Sequence, residues 1–262
     1  MGKPKLYITL FLMILMPLII LVTAVLYPSG GRKEEIAKEK EIEITDRFIA
    51  GYTLTEDEIN YLHKRNFKYL INGMRIVLQK DKGKGYELYK RAINMGVESQ
   101  QIYTELAQLY INRNEKDKAI ALYEKAIALD PDVKNWPTKG YIKKLADMYY
   151  ASGDCYRASK LYEKYLTYYR RSIPDMYSLS VCYIKMRETD KALSLLNNCI
   201  KIDPGNKFLT DIYNLMGLIY EGKGIMVEAQ NYYTESLRIN PNNKKAETNL
   251  KRVEKKLKEQ KI

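Results

Sequence analysis

Hydrophobic residues fall into three successive patterns along this chain. The first runs from Leu6 to Tyr27, LYITLFLMILMPLIILVTAVLY, 22 residues without a charge. At about 1.5 Å per residue it is long enough for a bilayer core of roughly 30 Å, so it predicts a transmembrane helix. Lys3 and Lys5 precede it, and Pro28-Ser29-Gly30-Gly31 follow as expected helix breakers before Arg32 and Lys33. Pro17 is tolerated within such a helix, where it bends the rod. The alternative is a cleaved signal peptide cut near Val22-Thr23-Ala24. A signal peptide has an apolar stretch of about 7–15 residues, so the length favours an uncleaved anchor over residues 1–31. The second pattern, RKEEIAKEKEIEIT at 32–45, is charged and short of large apolar groups, and residues 32–54 read as a solvated spacer that could be helical. Thr55 then opens a helix: Glu58 completes a capping box, and Glu56 and Asp57 complement the positive end of the helix dipole.

The third pattern repeats. Tyr103, Leu106, Ala107 and Tyr110 share one helical face, Asn112–Asp117 form a turn, and Ala119, Tyr123 and Ala126 face back from a second helix that ends at Asp130-Pro131. The small residues permit close approach and the large ones fill the adjoining grooves. The same order returns as Ile142, Leu145, Ala146, Tyr149 with Ala158, Tyr162, Tyr165. It returns again as Met176, Leu179, Ser180, Tyr183 with Ala192, Leu196, Cys199, Pro204, and finally as Tyr213, Met216, Gly217, Tyr220 with Ala229, Tyr233, Ser236, Pro241. Upstream, Tyr69, Gly73 and Ile76 with Gly85, Tyr89 and Ala92 form a degenerate copy. The positions Tyr110, Tyr149, Tyr183 and Tyr220 are 39, 34 and 37 residues apart, implying short insertions around Lys134–Thr138 and near Gly205–Lys207.

This order resembles the tetratricopeptide repeat (TPR), a 34-residue helical hairpin, over roughly residues 66–241. Two departures are local: Arg170 stands where the unit from 139 would end in Pro, and Gly85 replaces a helix-favouring small residue. The fold class expected is therefore all-α: an N-terminal transmembrane helix, then a right-handed α-solenoid of about four to five TPR hairpins, then a capping helix. The solenoid region is 55–241, with units near 66–99, 100–138, 139–172, 173–209 and 210–242. Residues 243–262 hold an amphipathic helix with Ala246, Leu250, Val253 and Leu257 at helical spacing, read as a solubilising cap with a basic tail.

The formal charge of +12 raises the question of nucleic acid. Residues 1–33 hold four bases and no acids, and 242–262 hold eight bases and three acids, leaving only +3 for 34–241. Acids and bases interleave over the repeats as on an ordinary helical surface, without the concentrated stripe of a nucleic-acid interface. Tyr, at 24 residues against 4 Phe and 1 Trp, buries a ring while keeping a polar edge near water. Cys155, Cys182 and Cys199 have no Cys-x-x-Cys spacing and read as small packing residues. The chain has no Walker-type loop, His-Glu-x-x-His or Gly-x-Ser-x-Gly motif. Lys82-Gly83-Lys84-Gly85 sits where a hairpin turn is needed, and the lone His63 reads as a surface residue. No enzyme activity, cofactor or metal is expected.

The resemblance implies a concave face, lined by the first helix of each hairpin, that takes an extended peptide or a partner's helix. Carried onto this sequence, that groove holds Gln101, Thr104, Glu105, Gln108 and Asn112; then Lys143, Lys144, Asp147 and Tyr150; then Tyr177, Val181 and Lys185; then Asn214, Leu218 and Glu221. For each of these, ordinary solvated surface is the competing reading. The basic and amide set with which some TPR proteins grip a chaperone's C-terminal carboxylate is absent: the matching places hold Thr104 and Gln108, Lys144, then Pro174 and Ser178. In the first copy Phe67, Leu70, Ile71, Met74, Val77 and Leu78 make this face apolar; either the chain around Ile59 and Leu62 covers it, or a dimer or partner does. The function expected is a membrane-anchored scaffold binding proteins through its groove, with a homo-oligomer also open. The alternative is a structural subunit of a larger membrane or envelope machine held by lateral contacts. The repeats are expected on the exported side, as anchors this near the N-terminus commonly act as export signals; the competing reading is the cytoplasm, since Arg32, Lys33, Lys38 and Lys40 outnumber Lys3 and Lys5 in the flanks and the cysteines look reduced.

Overall fold

The computed structural model describes residues 29–205 and 207–259, which contain thirteen α-helices and no strand. The predicted anchor at Leu6–Tyr27 lies outside them; among the described residues no helix is long and apolar enough to cross a membrane. The chain divides into two compact units, Met1–Leu106 and Ala107–Ile262.

The first unit contains α1 (Ser29–Ala50), α2 (Glu56–His63), α3 (Lys68–Lys80), α4 (Lys82–Asn94) and the first half of α5 (Gln100–Asn112). Residues 32–54 differ from the solvated spacer expected of them. Helix α1 runs through most of this stretch, with Gly30 and Gly31 inside its first turn. Ala37, Glu41, Ile44, Thr45 and Phe48 stand on one helical face, at i, i+4, i+7, i+8 and i+11, and are buried, Phe48 completely. This thin stripe packs on α3 while the many charges face water. Glu41 is buried because Arg65 neutralises it at 3.1 Å. The helices meet at Gly73, where a Cβ would lie 2.7 Å from Thr45 Cγ2 and 2.8 Å from Ile49 Cδ1. Helix α1 thus lies against the apolar face of α3, upstream of the Ile59–Leu62 segment expected to cover it. Phe67, Leu70, Ile71 and Met74 are buried, but Ile76 is 54% exposed. Packing against both α1 and α4 shifts the buried stripe of α3 away from the register of the other repeats.

The Thr55–Glu58 capping box forms as expected. The Lys82–Gly85 run does not form the hairpin turn assigned to it. Asp81 alone joins α3 to α4, and its side chain accepts from the Lys84 amide at 3.0 Å. Both glycines lie in the first turn of α4, and a Cβ at Gly85 would overlap the Leu78 backbone. Close helix approach, rather than turn geometry, requires glycine at 85.

The second unit continues with α6 (Lys116–Ala128), α7 (Trp136–Ser152), α8 (Cys155–Tyr168), α9 (Ile173–Lys185), α10 (Thr189–Ile202), α11 (Leu209–Gly222), α12 (Met226–Ile239) and α13 (Lys244–Glu259). Helices α7/α8, α9/α10 and α11/α12 are hairpins, and each packs on the next. Most of the residues picked out by the repeat are buried, including Ile142, Leu145, Ala146, Tyr149, Ala158, Tyr162, Met176, Leu179 and Tyr183, while Tyr165, Tyr213 and Tyr220 are partly buried. All three cysteines are buried and free, as packing residues should be. The insertion around Lys134–Thr138 builds a capped turn. Asp130 accepts from the amides of Asn135 (2.9 Å) and Lys134 (3.0 Å) and from the Thr138 hydroxyl (2.7 Å), and these bonds hold its pKa below the usual carboxylate value. Helix α13 seats Val253 against Ala229 and Tyr233 of α12, with Leu250 and Leu257 at the margin, and its Ala246 is also buried.

Candidate protein-interaction face

The first helices of the hairpins carry the residues expected to line a groove, and the structure sorts them into two kinds. Some are engaged by the protein itself. In the first unit, Glu105 accepts from the Arg75 guanidinium (Nε at 3.1 Å) and from the Tyr89 hydroxyl. Thr104 is buried and donates to Gln101 O at 3.2 Å.

In the second unit, Lys143 Nζ on α7 bridges Asp147 (3.0 Å) and Asp175 Oδ1 of α9 (2.8 Å). Asp175 is only 3% exposed. Partial burial works against the ammonium, but the two carboxylates prevail and hold the Lys143 pKa above the ordinary lysine value. The Tyr162 hydroxyl donates to Asp147 at 2.8 Å. On α11, Glu221 accepts from Arg252 Nε (2.8 Å) and Nη2 (2.6 Å), Lys256 Nζ (3.0 Å) and the Tyr233 hydroxyl (3.0 Å). Led by the Arg252 contact and against the cost of burial, these partners depress its pKa to about 2. Asn214 is buried and accepts from Asn249 Nδ2 of α13 at 3.0 Å. The carboxylates at Glu105, Asp147 and Glu221, of which Asp147 is 45% exposed, therefore each accept from the hydroxyl of a buried second-helix tyrosine.

The rest remain available. Gln101, Gln108, Asn112, Lys144, Lys185 and Leu218 are exposed, with Gln108 Nε2 donating to Asn112 Oδ1 at 3.2 Å. Tyr150, Tyr177 and Val181 are half-buried. Tyr177 and Val181, four residues apart, lie on one side of α9. The Tyr177 ring sits 5.5 Å from Phe208, and burial, with the Asp211 charge and Tyr150 nearby, pushes its pKa up to about 12. Helices α7 and α9 thus present half-buried tyrosines beside exposed lysines. Sequence reasoning missed Phe208, Asp175 and the contacts from α13. Phe208 borders the insertion at Gly205–Lys207, and its being one of only four Phe was the available signal. Asp175 carried none, since an acid after Pro174 reads as helix-dipole compensation.

Tetratricopeptide-repeat family models match residues 101–133, 176–206 and 210–243. Among curated proteins, the chain is 30% identical over 116 residues to heat shock protein STI1 of Saccharomyces cerevisiae, covering 41% of this chain and 19% of that protein. It is 23% identical over 165 residues to protein O-mannosyl-transferase TMTC1 of Homo sapiens, covering 63% of this chain and 18% of that one. The chain thus spans less than a fifth of the length of these curated relatives. Among solved structures, YrrB, described as a TPR protein with an unusual peptide-binding site, is 16% identical with a TM-score of 0.55, covering 67% of this chain and 87% of its own. MamA of Desulfovibrio magneticus RS-1 is 12% identical with a TM-score of 0.51, covering 68% and 97%. At such identities the structural likeness shows the fold. The chain therefore carries tetratricopeptide repeats at residues 101–133, 176–206 and 210–243, within an all-α fold shared with solved TPR proteins.

Proposed function

We propose that this protein is a membrane-anchored scaffold that holds an extended segment of a partner protein against the first-helix face of its second unit. The observation that carries this is the division of labour on that face. The carboxylates Asp147, Asp175 and Glu221 are bound internally, while Tyr150, Tyr177, Val181, Lys144 and Lys185 keep surface to offer. Tyrosines of this kind supply rigid apolar area and a polar edge, and lysines at the rim supply charge for approach and register. The fold supports the same reading, since YrrB is described as binding a peptide. The uncharged stretch Leu6–Tyr27 would supply the anchor, with the repeats on the exported side. Protease access to a C-terminal tag in cells with opened outer barriers tests that side: survival of the tag until the membrane is dissolved reverses it.

A second reading, a subunit held by lateral contacts, is favoured by exposed apolar groups on the second helices, Tyr156 at 64% and Val227 at 56%. A photo-crosslinking residue placed in the full-length protein in cells separates the two. Adducts from positions 181 and 218 that vanish in Tyr177→Ala support the scaffold. Adducts confined to positions 156 and 227 refute it in favour of lateral assembly.

A further inference from the structure

The fold brings a second group of cations to the start of α1. This helix begins at Ser29, two residues beyond the uncharged Leu6–Tyr27 stretch, and carries Arg32, Lys33 and Lys38 in its first turns. Lys64, just after α2, and Lys68, the first residue of α3, come from about thirty residues further along. They nevertheless line the same cleft as Gly31 and Lys38, an open groove of about 630 Å³ walled by Tyr69. The acids lining it are Glu34, Glu35 and Glu41. Glu41 is already spent on Arg65, at 3.1 Å. Lys38, Lys64 and Lys68 form no ion pair with any described residue, and Lys64 and Lys68 are exposed. Among the described residues of the first unit the buried stripe runs through Ile44, Phe48, Leu70, Ile71 and Met74 and does not include these lysines.

We infer that this cleft is a docking surface for the phosphates of anionic lipid headgroups in the same membrane that holds the anchor. The inference rests on the anchor reading above, because the chain's own continuity is what sets Gly31 beside the bilayer. Residues 29–36 of α1 precede its first buried side chain, Ala37. At 1.5 Å per residue they account for about 12 Å of helix, so the cleft opens at headgroup depth rather than far into solvent. Lysine suits the task as a compact charge on a long stem, and the pull of an anionic surface on each such residue is worth about fivefold in occupancy, falling with salt. The acids Glu34 and Glu35 oppose part of this, which restricts the contact to membranes with a substantial anionic fraction.

The test uses the full chain reconstituted into nanodiscs of zwitterionic phosphatidylcholine, or of the same lipid with about a third phosphatidylglycerol. Lysines are acetylated briefly and read by mass spectrometry. Lys80, at the opposite end of α3 and about 18 Å away along the helix axis, is the internal control. The expected result is acetylation of Lys64 and Lys68 at least threefold slower in the anionic discs, with Lys80 unchanged and the difference abolished by 0.5 M salt. Equal acetylation in both discs by a chain that has incorporated overturns the inference and leaves the anchor standing. Failure of the chain to incorporate into either disc overturns the anchor reading and this inference with it. Free inorganic phosphate at millimolar concentration, added to the zwitterionic discs, should give no protection; protection there would identify a soluble anion as the ligand and refute the lipid assignment.

Discussion

Glu221 collects the ion pairs that, with the Asn249–Asn214 hydrogen bond, fasten α13 to α11, and its replacement by glutamine gives a measurable consequence. The side chain is 9% exposed and collects Arg252, Lys256 and the Tyr233 hydroxyl. Depression of its pKa from the ordinary 4.5 to about 2 corresponds to about 3 kcal/mol of preference for the folded carboxylate. Arg252 and Lys256 are 43% and 44% exposed, so water screens part of the attraction and about 2 kcal/mol remains. Because the folded pKa lies below the unfolded one, this contribution is fully present above about pH 4.5 and disappears as pH falls towards 2. Glu221→Gln keeps the size and an acceptor for Tyr233 but removes the charge. Hydrogen exchange of residues 244–259, followed by mass spectrometry at pH 7, should then accelerate about 30-fold, while α9 and α10 change little. After correction for intrinsic rates, wild-type protection of α13 should fall towards that of the variant between pH 5 and pH 3. Exchange within twofold of wild type at pH 7 would refute the reasoning and mean that apolar packing and the Asn249–Asn214 bond hold the helix without the ion pairs.

Three further outcomes follow from named contacts. Phe48→Ala should destabilise the first unit by about 3–5 kcal/mol in chemical denaturation, because Phe48 is fully buried in the α1–α3 packing; a loss under 1 kcal/mol would return α1 to the role of solvated spacer. Gly85→Ala should lower the melting temperature despite the better helix propensity of alanine, since its methyl would overlap Leu78, whereas Gly83→Ala, with Asp81 Oδ1 nearest at 3.4 Å, should be neutral or stabilising. Lys143→Ala should cost about 2 kcal/mol of stability by leaving buried Asp175 with the Ser172 hydroxyl in place of its ammonium partner, and Lys144→Ala almost none; equal effects on thermal melting would sink the assignment of the Lys143 bridge.

These contrasts separate what the chain's pattern determined from what packing decided. The hairpins of the second unit were legible residue by residue: large and small side chains recur in step, each unit buries its own stripe against the next, and the information is local. The cap at 244–259 was legible for the same reason, its apolar residues standing at helical spacing. Helix α1 was obscured because five buried positions among many charges make a weak periodic signal, and burial of Glu41 depends on Arg65, 24 residues away. The register of α3 could not be read either, since it follows from having α1 as a neighbour. On the candidate face, the repeat pattern nominated positions on the first helices, and two of them, Thr104 and Asn214, are buried. Which of them are free was settled only by tertiary partners. Lys143 and Lys144 are adjacent and identical in sequence, yet Asp175 from the next hairpin makes one a bridge inside the fold and leaves the other to solvent. Periodicity records which side of a helix a residue occupies; only the folded chain brings the charge that takes it up.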